Sequence, residues 1–269
     1  MYESFFGLNE APFNVTPDPR FVYLSRHHQA ALSAMKYGVE RRSGFIQITG
    51  EIGAGKTTLS RMFLQQAGEK VHTSLVFNPK LSECELLQEI VEDFGLKPAS
   101  KKRKAYFDAL NQFLLEESSK GFNAVLIIDE AQLLPPRALE QVRLLSNLET
   151  TSQKLLQIIL MGQPELGELL NRPDLKQLRQ RITLRCHLPE LSLEEAGHYI
   201  SHRLGVAGVG REIFDTDAVK RIYELSSGIP RVINILADRA LLAAYAKNST
   251  VVDADMVECA EADLQGASV

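Results

Sequence analysis

The chemistry is concentrated in nine residues, Gly50-Glu51-Ile52-Gly53-Ala54-Gly55-Lys56-Thr57-Thr58. The spacing G-x-x-x-x-G-K-[ST] suits a phosphate-binding loop: glycines let backbone N–H groups curl round phosphate oxygens, a lysine reaches the outer phosphates and a hydroxyl ligates Mg²⁺. All nine residues are therefore expected to bind nucleotide, with Lys56 as the mobile cation and Thr57 as a metal ligand. A second constellation, Asp129-Glu130, closes the apolar run Ala124-Val125-Leu126-Ile127-Ile128. A carboxylate at the end of such a strand stands where open α/β sheets bind ligands. Asp129 is expected in the Mg²⁺ shell and Glu130 beside an attacking water, so that phosphoryl transfer proceeds by positioning, with no covalent intermediate.

These residues need rigid elements to hold them. The apolar run Phe45-Ile46-Gln47-Ile48-Thr49 leads into the loop and residues 59–66 are helical in pattern, which is the strand–loop–helix setting the motif requires. A glycine-rich turn with a stray lysine does not need that setting. An amphipathic helix from Ser25 to about residue 41 precedes the loop strand. Further strands are expected at 71–77, closed by an Asn78-Pro79 turn, and at 124–128, 155–161 and 182–187. Helices are expected from Ser82 through Phe94, at 101–117 and at 136–148. The alternation specifies an α/β parallel sheet flanked by helices. From Ser192 onward the pattern is helical only, at about 192–204, 216–226, 231–247 and 253–263. The expected division is thus a core of residues 1–190 and a helical lid of 191–269. Residues 1–25 are assigned to the core as an irregular segment, because Pro12, Pro17 and Pro19 disfavour helix.

The 269 residues are 45% hydrophobic and 24% charged, with a net charge of −4. That is room for one large domain and a smaller one, with no overall pull toward nucleic acid or anionic membrane. Cys84, Cys186 and Cys259 lack C-x-x-C spacing, so a reduced, cytoplasmic setting is expected, with neither a disulfide framework nor a zinc site. No apolar run approaches the roughly 18 residues of a membrane span, and no basic flank precedes an apolar block at the N-terminus.

With these motifs in hand, the chain resembles the AAA+ ATPases, and within them the ExeA/GspA-type secretion ATPases, over nearly all of its length. The likeness rests on the phosphate loop and on residues 125–130. It extends to Phe6-Gly7-Leu8, Pro12-Phe13, Pro17-Asp18-Pro19, Gly162-Gln163-Pro164-Glu165-Leu166 and Gly228-Ile229-Pro230-Arg231. It implies a P-loop NTPase sheet with an all-helical C-terminal lid, and ATP with Mg²⁺ as ligands. Glu130 would then be catalytic, Gln163 the core sensor, Arg231 the lid arginine that reads the γ-phosphate, and Arg181 the finger offered to a neighbouring subunit. The alternatives are that Gln163 only caps a turn, that Arg231 only neutralises the lid helix, and that Arg172, Lys176, Arg179 or Arg185 serves in place of Arg181. Tyr23 and residues 13–19 are candidates for packing on adenine, with ordinary core packing as the alternative. His27 and His28 are expected on the surface of their helix, and His187 in a structural place.

The function so implied is ATP hydrolysis by a homo-oligomer that helps assemble a secretion, pilus or exopolysaccharide system, peripherally at the inner face of the cytoplasmic membrane. A membrane-embedded or envelope protein is the expected partner. Longer members continue into a membrane span and a peptidoglycan-binding domain; this sequence stops after the lid, so either it is the ATPase portion alone or its envelope contacts come from another protein. The alternative class is an ATP-switched DNA-binding regulator of the TnsC/TniB transposition type. Its mark would be a basic surface, and Lys101-Lys102-Arg103-Lys104 and residues 172–185 are candidates. Neither is interleaved with aromatics for base stacking, so DNA is not favoured. A nucleotide-dependent scaffold with negligible turnover is the third reading.

Overall fold

The computed structural model describes residues 1–14, 18–77, 81–151, 153–264 and 266. Pro17 and the Asn78-Pro79 turn lie outside them. In chain order the first elements are α1 (Tyr2–Phe6), α2 (Arg26–Glu40), β1 (Phe45–Gly50), α3 (Lys56–Gln66), β2 (Val71–Val76), α4 (Glu83–Asp93), α5 (Arg103–Ser119) and β3 (Asn123–Ile128). There follow α6 (Pro136–Leu145), β4 (Leu156–Gly162), α7 (Pro164–Leu170), α8 (Lys176–Arg179) and β5 (Ile182–Leu188). The last four are α9 (Leu193–Val206), α10 (Thr216–Ser226), α11 (Pro230–Ala246) and α12 (Ala254–Leu264). The chain gathers into two compact units, one of residues 27–50 and 59–188, the other of Met1–Arg26, Glu51–Thr58 and Pro189–Val269.

The first unit holds a sheet of five parallel strands in the order β2-β3-β4-β1-β5. Composition explains the order. The uninterrupted apolar stretch Val125–Ile128 and all of β4 are buried, as strands covered on both faces require, whereas β5 alternates and exposes Thr183, Arg185 and His187 as an edge strand does. α4 begins with a capping box in which Ser82 and Glu85 satisfy each other's main-chain N–H groups. Its Leu86, Leu87, Ile90 and Val91 are fully buried, each burial contributing roughly 1.5–3 kcal/mol. His28, expected on the surface, is only 6% exposed. It opens the i, i+3, i+4, i+7 stripe that Ala31, Leu32 and Met35 complete on α2, so its position on the helix decides its burial against its polarity.

The second unit corrects the assignment of residues 1–25. They are not an irregular part of the sheet domain: α1 is helical, and Tyr2, Phe6, Leu8, Phe13 and Phe21 enter one apolar cluster with Ile200, Leu204, Phe214, Ile233 and Leu236 of the C-terminal helices. Arg203, only 7% exposed, fastens the segment. Its Nε donates to the carbonyl of Pro12 at 2.6 Å and its Nη2 to that of Asn14 at 3.1 Å, while Nη1 donates to the Tyr199 hydroxyl at 2.9 Å. The Tyr199 hydroxyl donates in turn to Asn234 Oδ1 at 2.8 Å. Prolines exclude a long helix here, but they do not choose which core the aromatic residues join.

Gly228 closes the turn between α10 and α11 with φ of +76°. Its carbonyl accepts from Leu191 N–H at 3.0 Å, and a Cβ added to it would lie 2.1 Å from the Leu191 carbonyl oxygen. Gly228→Ala combines a left-handed conformation with a backbone collision. It is expected to destabilise the helical unit by roughly 2–5 kcal/mol, read by calorimetry as a lowered transition; an unchanged midpoint would show that the turn relaxes freely.

Candidate active site

The phosphate loop leaves the carboxyl end of β1, and Gly50 is the last residue of that strand. Asp129 follows the carboxyl end of β3, and β4 pairs with both strands. Within the loop, Ala54 N–H donates to the Glu51 carbonyl at 3.1 Å, while Gly53 and Gly55 take φ of +83° and +96°. Successive turns of this kind aim main-chain N–H groups at one point, an anion cradle that the start of α3 reinforces with its partial positive charge. Lys56 is 5% exposed and folds back so that Nζ donates to the Glu51 carbonyl at 2.9 Å. Thr57 and Thr58 are partly buried in the first turn of α3, and Ile52 is exposed at the loop's tip.

Arg231 stands beside this loop. A Cβ on Gly53 would lie 2.7 Å from Arg231 Cβ and 3.2 Å from Ile229 Cγ2, so the loop and the start of α11 approach at a separation that only glycine permits. The structure therefore brings together Arg231 and the loop, 178 positions apart from Gly53 to Arg231.

At the carboxyl end of β3 Asp129 is 2% exposed. Its main-chain N–H donates to the Val76 carbonyl at 2.9 Å, and its Oδ1 accepts from Glu130 N–H, also at 2.9 Å. Glu130 has φ of +51°, a conformation a glutamate rarely holds, and it turns the chain into a single 3-10 turn, Ala131–Leu133. Its Oε2 accepts two hydrogen bonds, from Gln132 Nε2 at 2.6 Å and from Gln163 Nε2 at 3.1 Å. Gln163 occupies the N-cap of α7 yet makes no capping bond with its side chain, which goes to Glu130 instead. Gln132 was not anticipated. Two residues beyond Glu130 it carries no motif signal, and only the 3-10 turn brings its amide back to the carboxylate.

Arg181 lies against the last turn of α6: its Nη1 donates to Ser146 Oγ and, at 3.4 Å, to the Arg143 carbonyl. Of its basic neighbours, Arg172 pairs with Asp174 and Arg179 donates to Asn171. Phe13, weighed as an adenine neighbour, is 1% exposed and packs edge-on against Phe214, 5.9 Å between ring centres. Tyr23 packs edge-on against Tyr199. His187 Nδ1 meets Thr49 Oγ1 at 3.0 Å on the edge of the sheet.

Residues 39–170 match the AAA domain family. Over 251 residues the chain is 46% identical to general secretion pathway protein A of Aeromonas hydrophila, covering 93% of this chain. This chain belongs to the AAA+ ATPases. It spans 46% of the length of that secretion relative. Among solved structures, Drosophila ORC bound to DNA superposes with a TM-score of 0.73 at 18% identity, covering 98% of this chain and 66% of that one. The Aeropyrum pernix ORC2 protein gives 0.69 at 17%, covering 94% and 71%. At such identities the likeness is one of fold alone, the helix-flanked parallel sheet of the P-loop NTPases. Among the described residues no helix is long and apolar enough to cross a membrane.

Proposed function

We propose that this AAA+ ATPase hydrolyses Mg²⁺–ATP as a homo-oligomer and drives assembly of a secretion, pilus or exopolysaccharide system. We place it at the cytoplasmic face of the inner membrane, acting through a membrane-embedded or envelope partner. The observation that carries hydrolysis is the adjacent pair Asp129 and Glu130: one carboxylate is buried, the other is turned aside by a left-handed backbone and held by two amides. The secretion setting is supported by the 46% identity to general secretion pathway protein A.

The residues fit the ligands. Asp129 is a buried carboxylate at a strand end and Thr57 carries a hydroxyl, each the kind of oxygen donor that Mg²⁺ takes while keeping the rest of its shell for phosphates and water. Bound there, Mg²⁺ would supply charge neutralisation on the phosphate oxygens. The chain's own groups do the remainder. Main-chain N–H groups of the loop bind the phosphates, and Lys56 exchanges the Glu51 carbonyl for an outer phosphate oxygen. Glu130 orients and polarises water, Gln163 holds Glu130 in place, and Arg231 reads the γ-phosphate from α11.

The test is turnover against protein concentration. An arginine supplied by a neighbouring subunit contributes roughly 10³–10⁵ in rate, so a lone subunit is a poor ATPase. If Arg181 is that residue, specific activity rises with concentration, stops in EDTA and returns with Mg²⁺. Arg181→Ala removes the rise with ATP binding near normal, and mixing it with Lys56→Ala restores part of the activity. Rescue follows because a mixed interface joins an intact loop on one subunit to an intact arginine on the other. Concentration-independent turnover with no rescue would overturn the shared site in favour of one completed within a single chain by Arg231.

A further inference from the structure

We propose that Gln132 is a positioning residue for hydrolysis, one that registers the Glu130 carboxylate to the end of β4 by using both ends of its side-chain amide. Its Nε2 donates to Glu130 Oε2 at 2.6 Å, and its Oε1 accepts the main-chain N–H of Gln163 at 3.2 Å. The Gln163 side chain closes the ring by donating to the same Oε2 at 3.1 Å. Rotation of the Gln132 amide would break both of its bonds at once. Because the two amides converge on Oε2, Oε1 is left as the oxygen that accepts a proton from water, and the carboxylate plane is set by two points. The backbone is built around this amide: a Cβ on Gly162 would lie 2.5 Å from Gln132 Oε1, so glycine there is what lets the side chain pass.

A capping or packing role would not account for the arrangement. The donor goes to a carboxylate next to Asp129, and the acceptor goes to the residue that opens α7. One side chain thereby couples the ends of β3 and β4, which pair along Ala124↔Leu156 to Ile128↔Leu160. A displacement of the β4 end is transmitted to Glu130 through a single rigid amide plane.

The inference rests on the reading of Glu130 as the residue that polarises water. Full-length protein carrying Gln132→Ala is assayed for kcat and KM, for the Kd of Mg²⁺–ATPγS and for its melting transition. Expected is a fall in kcat of about 10- to 100-fold, with KM, Kd and the melting transition essentially unchanged. Gly162→Ala supplies an independent displacement: it keeps the amide but pushes its flexible end aside, and it should lower kcat in the same way. In a Glu130→Gln background Gln132→Ala should change the residual rate by less than about twofold, since residues acting as a unit do not add. Parental kcat in Gln132→Ala, with Glu130→Gln inactive, overturns the inference and leaves the function standing. A joint loss of kcat, ATPγS affinity and melting temperature also overturns it, by showing a structural role. A fully active Glu130→Gln overturns both readings.

Discussion

Lys56→Ala is expected to abolish nucleotide binding at ordinary concentrations. Lys56 is the one cation among the nine loop residues, and it is held 5% exposed at the start of α3 by a bond to the loop's own carbonyl. That bond is local and easily exchanged, so the lysine is stored beside the cradle it serves. A charge-assisted contact to phosphate contributes about 3 kcal/mol, and losing it weakens binding roughly 100-fold or more. Isothermal titration with ATPγS measures it. Undiminished affinity in a folded variant would remove the loop from the site. The fold should survive, because Lys56 belongs to neither apolar cluster.

Glu130→Gln has the opposite signature. The amide keeps the volume of the carboxylate, and its oxygen still accepts from Gln132 or Gln163, so the turn at φ of +51° has no cause to rearrange. What it lacks is the charge that draws a proton from water. Loss of a general base lowers kcat by about 10²–10⁴, while Mg²⁺–ATP affinity, set by the loop and Asp129, is retained. Single-turnover hydrolysis alongside an equilibrium titration separates the two quantities. Parental turnover would make Glu130 a residue that merely shapes the chain.

Much of this was legible in the residues themselves. The strands read as apolar runs because they are buried on both faces, and the loop read as a spacing because glycine and lysine have few substitutes in an anion cradle. The three residues Glu130, Gln163 and Gln132 mark the limit. Motif and resemblance single out the first two, yet their mutual hydrogen bond depends on strands β3 and β4 being neighbours, which no spacing encodes. Gln132 was silent because its part follows from a 3-10 turn and from room left by a glycine thirty positions away, Gly162. His28 and residues 1–25 failed for a related reason. Polarity and proline content describe a residue's own preferences, whereas burial is decided by the surface that comes to meet it.

The clasp of Arg203 on the carbonyls of Pro12 and Asn14 has a consequence for the order of events during synthesis. Residues 1–26 are made before the sheet, but the helices they belong with are made after it. Until α9 emerges, Phe6, Phe13 and Phe21 have no cluster to enter, and they must wait, solvent-exposed, while more than half of the chain is translated. At roughly 5–20 residues per second that interval lasts many seconds, long enough for the sheet unit to fold first. The helical unit can then be completed only late, when residues 1–26 meet the helices that follow Pro189.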